Sequence, residues 1–207
     1  MRNEKRKEEI FNTAMSLFYE KGFNNVSVMD ICDACRITKP TFYKYVPSKE
    51  EILRYHYRGT LDELIDMLSS MDQIPDYWRL IVLGLTFTLR KSVQMGPELY
   101  AQYMIMNFRS HTLTARYNSP ARDSTINSIR KAQEFHQIKN QSDAVELYLA
   151  ARNVGLGLAL KWCMAQGNFD VIERTTHALE TIFEPDHDTI RSQVEEYEQA
   201  KKAEAEK

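Results

Sequence analysis

Residues that break helices are scarce in this chain and fall at a few points. Seven Gly and six Pro serve 207 residues, so tight turns are rare and the stretches between them are long enough for helices. A many-stranded β sandwich needs a turn signal every roughly 8–12 residues, and this chain does not supply them. Apolar residues between the breaks recur at three- and four-residue intervals. Ile10, Ala14, Leu17 and Phe18 form one such stripe, the pattern of a helix with one buried face. There is no strand alternation, internal repeat or internal low-complexity stretch, and the expected fold class is all-α.

The first helix is expected over 3–21, closed by the Lys21-Gly22 stop. Ser27 with Asp30 three residues on is a carboxylate form of the capping box, and starts a short helix over 28–35 with Val28, Ile31, Cys32 and Cys35 on one side. Arg36-Ile37 make the turn. Thr38 caps a second short helix from Lys39, with Pro40 in its tolerant first turn, and that helix ends near Val46-Pro47. Ser48 caps the next helix, where Glu50 and Glu51 favour its positive end. Further helices are expected near 48–72, 76–94, 98–110, 121–139, 142–167 and 169–184. Beyond Thr189 the chain is expected to be a charged tail, a frayed helix or disordered.

Two short helices joined by a tight turn make a helix-turn-helix. Its second helix can bury Phe42 and Val46, which leaves Lys39, Thr41, Tyr43, Lys44 and Tyr45 for a groove and its phosphates. The charge agrees. Residues 1–60 hold eleven Lys and Arg against eight Asp and Glu, a net of +3, while the remainder holds sixteen against twenty-one, a net of −5. A basic end on an acidic body suits a polyanion partner.

Other classes find little support. No apolar run reaches the roughly 18 residues of a membrane span, and the charged Met1-Arg2-Asn3-Glu4-Lys5-Arg6-Lys7 start is expected to run into an amphipathic segment and not a secretory apolar stretch. Three Cys cannot all pair within one chain, so a cytoplasmic location is expected. Cys32 and Cys35 form a C-x-x-C read as core packing, with a thiol switch or half a metal site as alternatives. The five His show no metal-ligand spacing, and no P-loop, G-x-S-x-G or G-x-G-x-x-G is present. No enzyme activity, cofactor or metal is expected.

Over residues 8–55 the sequence resembles the TetR family of bacterial transcriptional regulators. The resemblance rests on Ile10, Ala14, Leu17 and Phe18, on Gly22-Phe23, on Val26-Ser27-Val28, and on Ile31 with Ala34. It continues through Ile37-Thr38-Lys39-Pro40-Thr41-Phe42-Tyr43-Lys44-Tyr45-Val46 to Ser48-Lys49-Glu50-Glu51-Ile52-Leu53. Gly157-Leu158-Ala159-Leu160-Lys161-Trp162 with Gly167-Asn168-Phe169-Asp170 resembles the family's penultimate helix and following turn. Arg36 departs from the family's frequent Gly; in a left-handed conformation it costs about 1 kcal/mol. Pro40 stands where many members have Gly, and Val46 replaces the usual Phe.

The resemblance implies a homodimer with a DNA-binding head over 1–47, an effector-binding and dimerisation domain over 48–188, and the tail over 189–207. It implies a phosphate contact from Ser27, a recognition helix lined by Thr38, Lys39, Pro40, Thr41, Tyr43, Lys44 and Tyr45, and a second phosphate contact from Lys49. The expected function is a transcriptional regulator, a repressor released from a pseudo-palindromic operator by a small molecule. The alternative is a co-regulator of the same fold that acts through a protein partner.

The middle of the chain is rich in aromatic residues and Met. Phe87, Tyr103, Met104, Asn107, Phe108 and Trp162 are the expected lining of an effector cavity, with Asn107 and Asn153 as polar groups in need of partners. Such a lining suits a neutral or weakly polar compound. The helix over 142–167 is apolar on several sides. Ala151, Gly155, Leu158 and Ala159 are expected to pair with the partner subunit, together with Ile172, Thr175, Leu179 and Ile182 from the helix that follows.

Overall fold

The computed structural model describes residues 2–57, 59–71, 74–110 and 119–205. They form eleven α-helices and no strand: α1 (Arg2–Lys21), α2 (Val28–Cys35), α3 (Lys39–Tyr45), α4 (Glu50–His56), α5 (Thr60–Met71), α6 (Tyr77–Met95), α7 (Pro97–Ser110), α8 (Pro120–Glu134), α9 (Ala144–Met164), α10 (Val171–Phe183) and α11 (His187–Ala205). The described residues divide into two compact units. One takes in residues up to 57 and 92–110; the other takes in 59–71, 74–91 and 119–205.

In the first unit α1 supplies Ile10, Phe11, Ala14 and Phe18 to a core closed by Phe23, Val26, Ile31, Cys32, Phe42, Val46, Ile52 and Leu53, all buried. Gly22 takes a positive φ of 79° and its N–H bonds Phe18 O at 3.0 Å, which ends α1 and turns the chain into a single 3-10 turn over Phe23–Asn25. Phe11 stacks on Tyr55, ring centroids 3.8 Å apart, and so fixes α1 against α4. α7 also belongs to this unit. Tyr57 bonds Ser92 through their hydroxyls at 2.7 Å and stacks on Tyr103 with centroids 4.3 Å apart.

In the second unit the core is built from α5, α6, α8, α9 and α10, with Leu64, Trp78, Ile81, Ile129, Leu147, Leu179 and Phe183 among its buried residues. α6 and α8 touch at Gly84, where a Cβ would lie 2.2 Å from Thr125 Oγ1. Only glycine permits that approach. The turn after α8 carries Gln137, whose side chain is fully buried. Its Oε1 accepts from Tyr77 N at 2.9 Å and Trp78 N at 3.3 Å, and its Nε2 donates to Pro75 O and to Gln193 Oε1 at 2.7 Å.

Two expectations are corrected, and the alternatives left open for the tail are narrowed. The helix expected over 48–72 is two, α4 and α5, because the chain turns at Tyr57 and Gly59, whose φ of 77° an L side chain rarely adopts. The helix expected to reach 139 stops at Glu134, and His136 takes φ 58° in the turn that follows. The tail from Thr189 is helix through Ala205, held at its start by buried Ile190 and by Gln193 Nε2 donating to Phe135 O at 2.9 Å.

Gln137→Leu keeps the volume but strands the Tyr77 and Trp78 amides and the Pro75 carbonyl. The variant should lose about 3 kcal/mol or more of unfolding free energy, read from urea titration by circular dichroism. A loss under about 1 kcal/mol would show that these groups find other partners.

Candidate nucleic-acid interface

The helix-turn-helix is set by local chemistry. Ser27 Oγ accepts from Asp30 N at 3.2 Å while Asp30 Oδ2 accepts from Ser27 N at 2.7 Å, a complete capping box. These bonds to the charged form hold the Asp30 carboxyl below the usual carboxylate range, the Ser27 side chain first among the causes. α2 ends at Arg36, which adopts φ 52°, ψ 49°, and Ile37 N bonds Cys32 O at 2.9 Å. The left-handed residue is therefore an Arg, at a cost of about 1 kcal/mol relative to Gly. Thr38 caps α3 through its hydroxyl, which also meets Thr41 Oγ1 at 2.9 Å, and Pro40 sits in the first turn.

α3 has a buried back and an exposed front. Phe42 is fully buried, as is Val46 just after the helix. Thr38, Lys39, Pro40, Tyr43 and Lys44 are exposed, Tyr43 to 51%, and Thr41 and Tyr45 are half-buried. The Tyr43 ring stands edge-on to Phe42, and Tyr45 Oη donates to Asn3 Oδ1 at 3.4 Å. Ser27 is exposed at the start of α2. Lys49 differs from the expectation of a phosphate-facing side chain. Its Nζ donates to Phe23 O at 2.7 Å and Val26 O at 2.9 Å, and lies 4.0 Å from the Phe23 ring centroid. Burial holds this ammonium below the usual lysine range. The sequence signal was present, since Lys49 begins a helix in which Glu50 and Glu51 follow, but spacing alone does not say which way a lysine points.

Cys32 and Cys35 are buried in α2, and burial pushes the Cys32 thiol up, towards its neutral form. Among the described residues no group of His, Cys, Asp and Glu is arranged to hold a metal ion, and no helix is long and apolar enough to cross a membrane.

The expected effector residues fall in both units. Tyr103, Met104 and Asn107 are buried in the first, where Asn107 Nδ2 donates to Tyr103 O at 2.9 Å. Phe108, in the same unit, is exposed on its helix. Phe87 and Trp162 are buried in the second. Asn153 lies on an exposed face of α9, so it does not interrupt a core. The residues expected at the dimer seam divide into two groups in the single chain. Ala151, Ala159, Thr175 and Leu179 are buried within one chain, where α9 packs on α10. Gly155, Leu158, Ile172 and Ile182 are half-exposed along the edges of that packing, and Val154 and Met164 stand out from α9, Met164 to 85%.

An all-α chain whose N-terminal helices form a capped helix-turn-helix with a donor-rich exposed face is a helix-turn-helix protein. Residues 10–55 match the family described as bacterial regulatory proteins, tetR family. The match to the TetR family lies in this head. The uncharacterised regulator YuxN of Bacillus subtilis is 40% identical over 73 residues, 33% of this chain and 25% of YuxN. The regulator EthR of Mycolicibacterium smegmatis is 31% identical over 121 residues, 58% of this chain and 49% of EthR. The matched segments thus span a quarter to a half of these curated relatives. The fold extends further. The crystal structure of Thermus thermophilus FadR, a TetR-family repressor in complex with lauroyl-CoA, aligns with a TM-score of 0.60 at 20% identity, over 85% of this chain and 92% of that one.

Ser27→Ala should lower the stability of the head by about 1 kcal/mol, measured by thermal or urea unfolding. The Asp30 pKa is depressed by folding, so its contribution is complete above the ordinary carboxylate range and is lost as pH falls through the depressed value. Asp30→Asn should therefore flatten the fall in stability between about pH 5 and pH 2. An unchanged acid limb would show that other carboxylates set it.

Proposed function

We propose that the protein is a DNA-binding transcriptional regulator, a repressor released from a pseudo-palindromic operator by a small molecule. The observation that carries this reading is α3, with Phe42 and Val46 beneath and Lys39, Thr41, Tyr43 and Lys44 in front. Those donors suit base edges and phosphates. Thr38, Pro40 and Tyr45 complete the face, and Ser27 meets a phosphate at the start of α2, where the helix N-terminus favours an anion. Residues 1–47 are assigned to DNA reading, and residues 48–188 to effector binding and pairing of subunits.

Effector control is supported by the likeness to folds solved with small molecules. FadR was solved with lauroyl-CoA, and RolR, with a TM-score of 0.52 at 16% identity, with resorcinol. Pairing is supported by the apolar groups that α9 and α10 leave outside the single chain: Val154, Leu158 and Met164, with Ile172 and Ile182. An obligate interface built on them should bury about 2,000 Å² or more, and a two-fold pair presents two heads to two half-sites.

Footprinting on the DNA upstream of its own coding region tests the reading. Protection of a pseudo-palindrome is expected; none there or in a genomic pull-down would favour a co-regulator acting through a protein partner. Lys44→Ala should weaken all sequences alike and lower the salt slope by about 0.9. Thr41→Ala and Tyr43→Ala should cost about 1–3 kcal/mol on the operator. Val154→Arg should give a folded monomer by light scattering with operator affinity lost. A Val154→Arg dimer that still binds would move the interface elsewhere.

A further inference from the structure

The start of α4 is tied to the turn between α1 and α2 by one side chain. Lys49 reaches back across the head, and two of its three ammonium hydrogens go to main-chain carbonyls at the two ends of that turn, Phe23 O and Val26 O. The charge lies against the face of Phe23, itself buried against Phe18 with ring centroids 4.9 Å apart. Val26 is buried and immediately precedes Ser27, the N-cap of α2. A charged donor bound to two carbonyls is a strong hydrogen-bonding arrangement, and at Phe23 O it adds to the turn's own bond from Val26 N at 3.4 Å.

We propose that Lys49 is a positioning residue of the head. Its ammonium holds the Phe23–Val26 turn, and with it the N-terminus of α2, in the stance from which Ser27 meets a phosphate. The inference rests on the DNA-binding reading, and it gives Lys49 a different part from direct phosphate contact. A phosphate reaching Lys49 would have to compete with both carbonyls and the ring. The side chain is half-buried, and that burial lowers its pKa. What Lys49 contributes to DNA binding is transmitted through the main chain at residues 23–27, whereas Lys39 and Lys44 stand exposed on α3.

Three measurements on the full chain test this. Lys49→Met keeps the aliphatic stem and removes the ammonium. It should weaken operator binding about tenfold while the slope of log affinity against log salt stays at the wild-type value. Adding Ser27→Ala should then cost much less than Ser27→Ala alone, because the contact has already been displaced. Amide hydrogen exchange should accelerate at Asp30, which bonds Ser27 Oγ, and not at Phe42 in α3. Lys49→Arg, which keeps charge and donors, should restore protection at Asp30. A slope lowered by about 0.9 would make Lys49 a phosphate ligand and overturn the proposal. So would unchanged affinity, or exchange that accelerates equally throughout the head. If the wild-type chain binds no DNA, the regulator reading fails by itself. Exchange at Asp30 still decides whether Lys49 holds the turn.

Discussion

The carboxamide of Gln137 is where the second unit is joined. It is fully buried, and every hydrogen-bonding atom it presents is engaged: with Pro75, Tyr77 and Trp78 at the entry to α6, and with Gln193 of α11. Its main chain completes the joint, since its N–H bonds Ala132 O and its carbonyl accepts from Asp186 N, both at 2.8 Å. The link after α8 runs beside the link after α10, with Lys139 N on Glu184 O at 3.0 Å and Asn140 Nδ2 on Ile182 O at 2.7 Å. Two helix ends, one helix start and one further helix thus meet at a single polar residue. A buried amide costs stability unless all its partners are present, so these elements must arrive together. The arrangement fixes one register for helices whose apolar faces alone would tolerate several.

The head is organised differently. Its short helices are held by caps, a left-handed Arg36, aromatic pairs and the Lys49 bridge, and most of these join residues close in sequence. Short elements anchored at both ends keep the exposed face of α3 in a fixed relation to α2. The proposed base and phosphate contacts demand this, because a donor displaced by an ångström no longer reaches its acceptor. The strain at Arg36 is small beside the buried core that holds it, and the same turn aims α3 outward.

The outer surface of α9 and α10 carries a different kind of information. Ala151 and Ala159 are buried within one chain. The larger apolar groups Val154 and Met164 remain outside. Periodicity marks α9 as apolar on several sides but does not divide those sides between neighbours within the chain and neighbours beyond it. That division depends on which helix lies alongside, a fact of tertiary packing.

By itself the sequence determined the all-α class, most helix positions in the head, both N-caps of the helix-turn-helix, and the split of α3 into a buried Phe42 side and an exposed Lys39, Tyr43 and Lys44 side. These features depend on interactions a few residues apart, and spacing encodes such interactions directly. The same local rules ran 48–72 together as one helix, because Gly59 is a break only once the chain takes a positive φ there. They also hid Gln137 inside an expected helix. The direction of the Lys49 ammonium, the burial of Ala159 and Leu179 within one chain, and the ordering of the tail by Ile190 and Gln193 were decided by tertiary structure alone. Each depends on a partner tens of residues away, and a long flexible side chain or a small apolar one carries no mark of which distant surface it will meet.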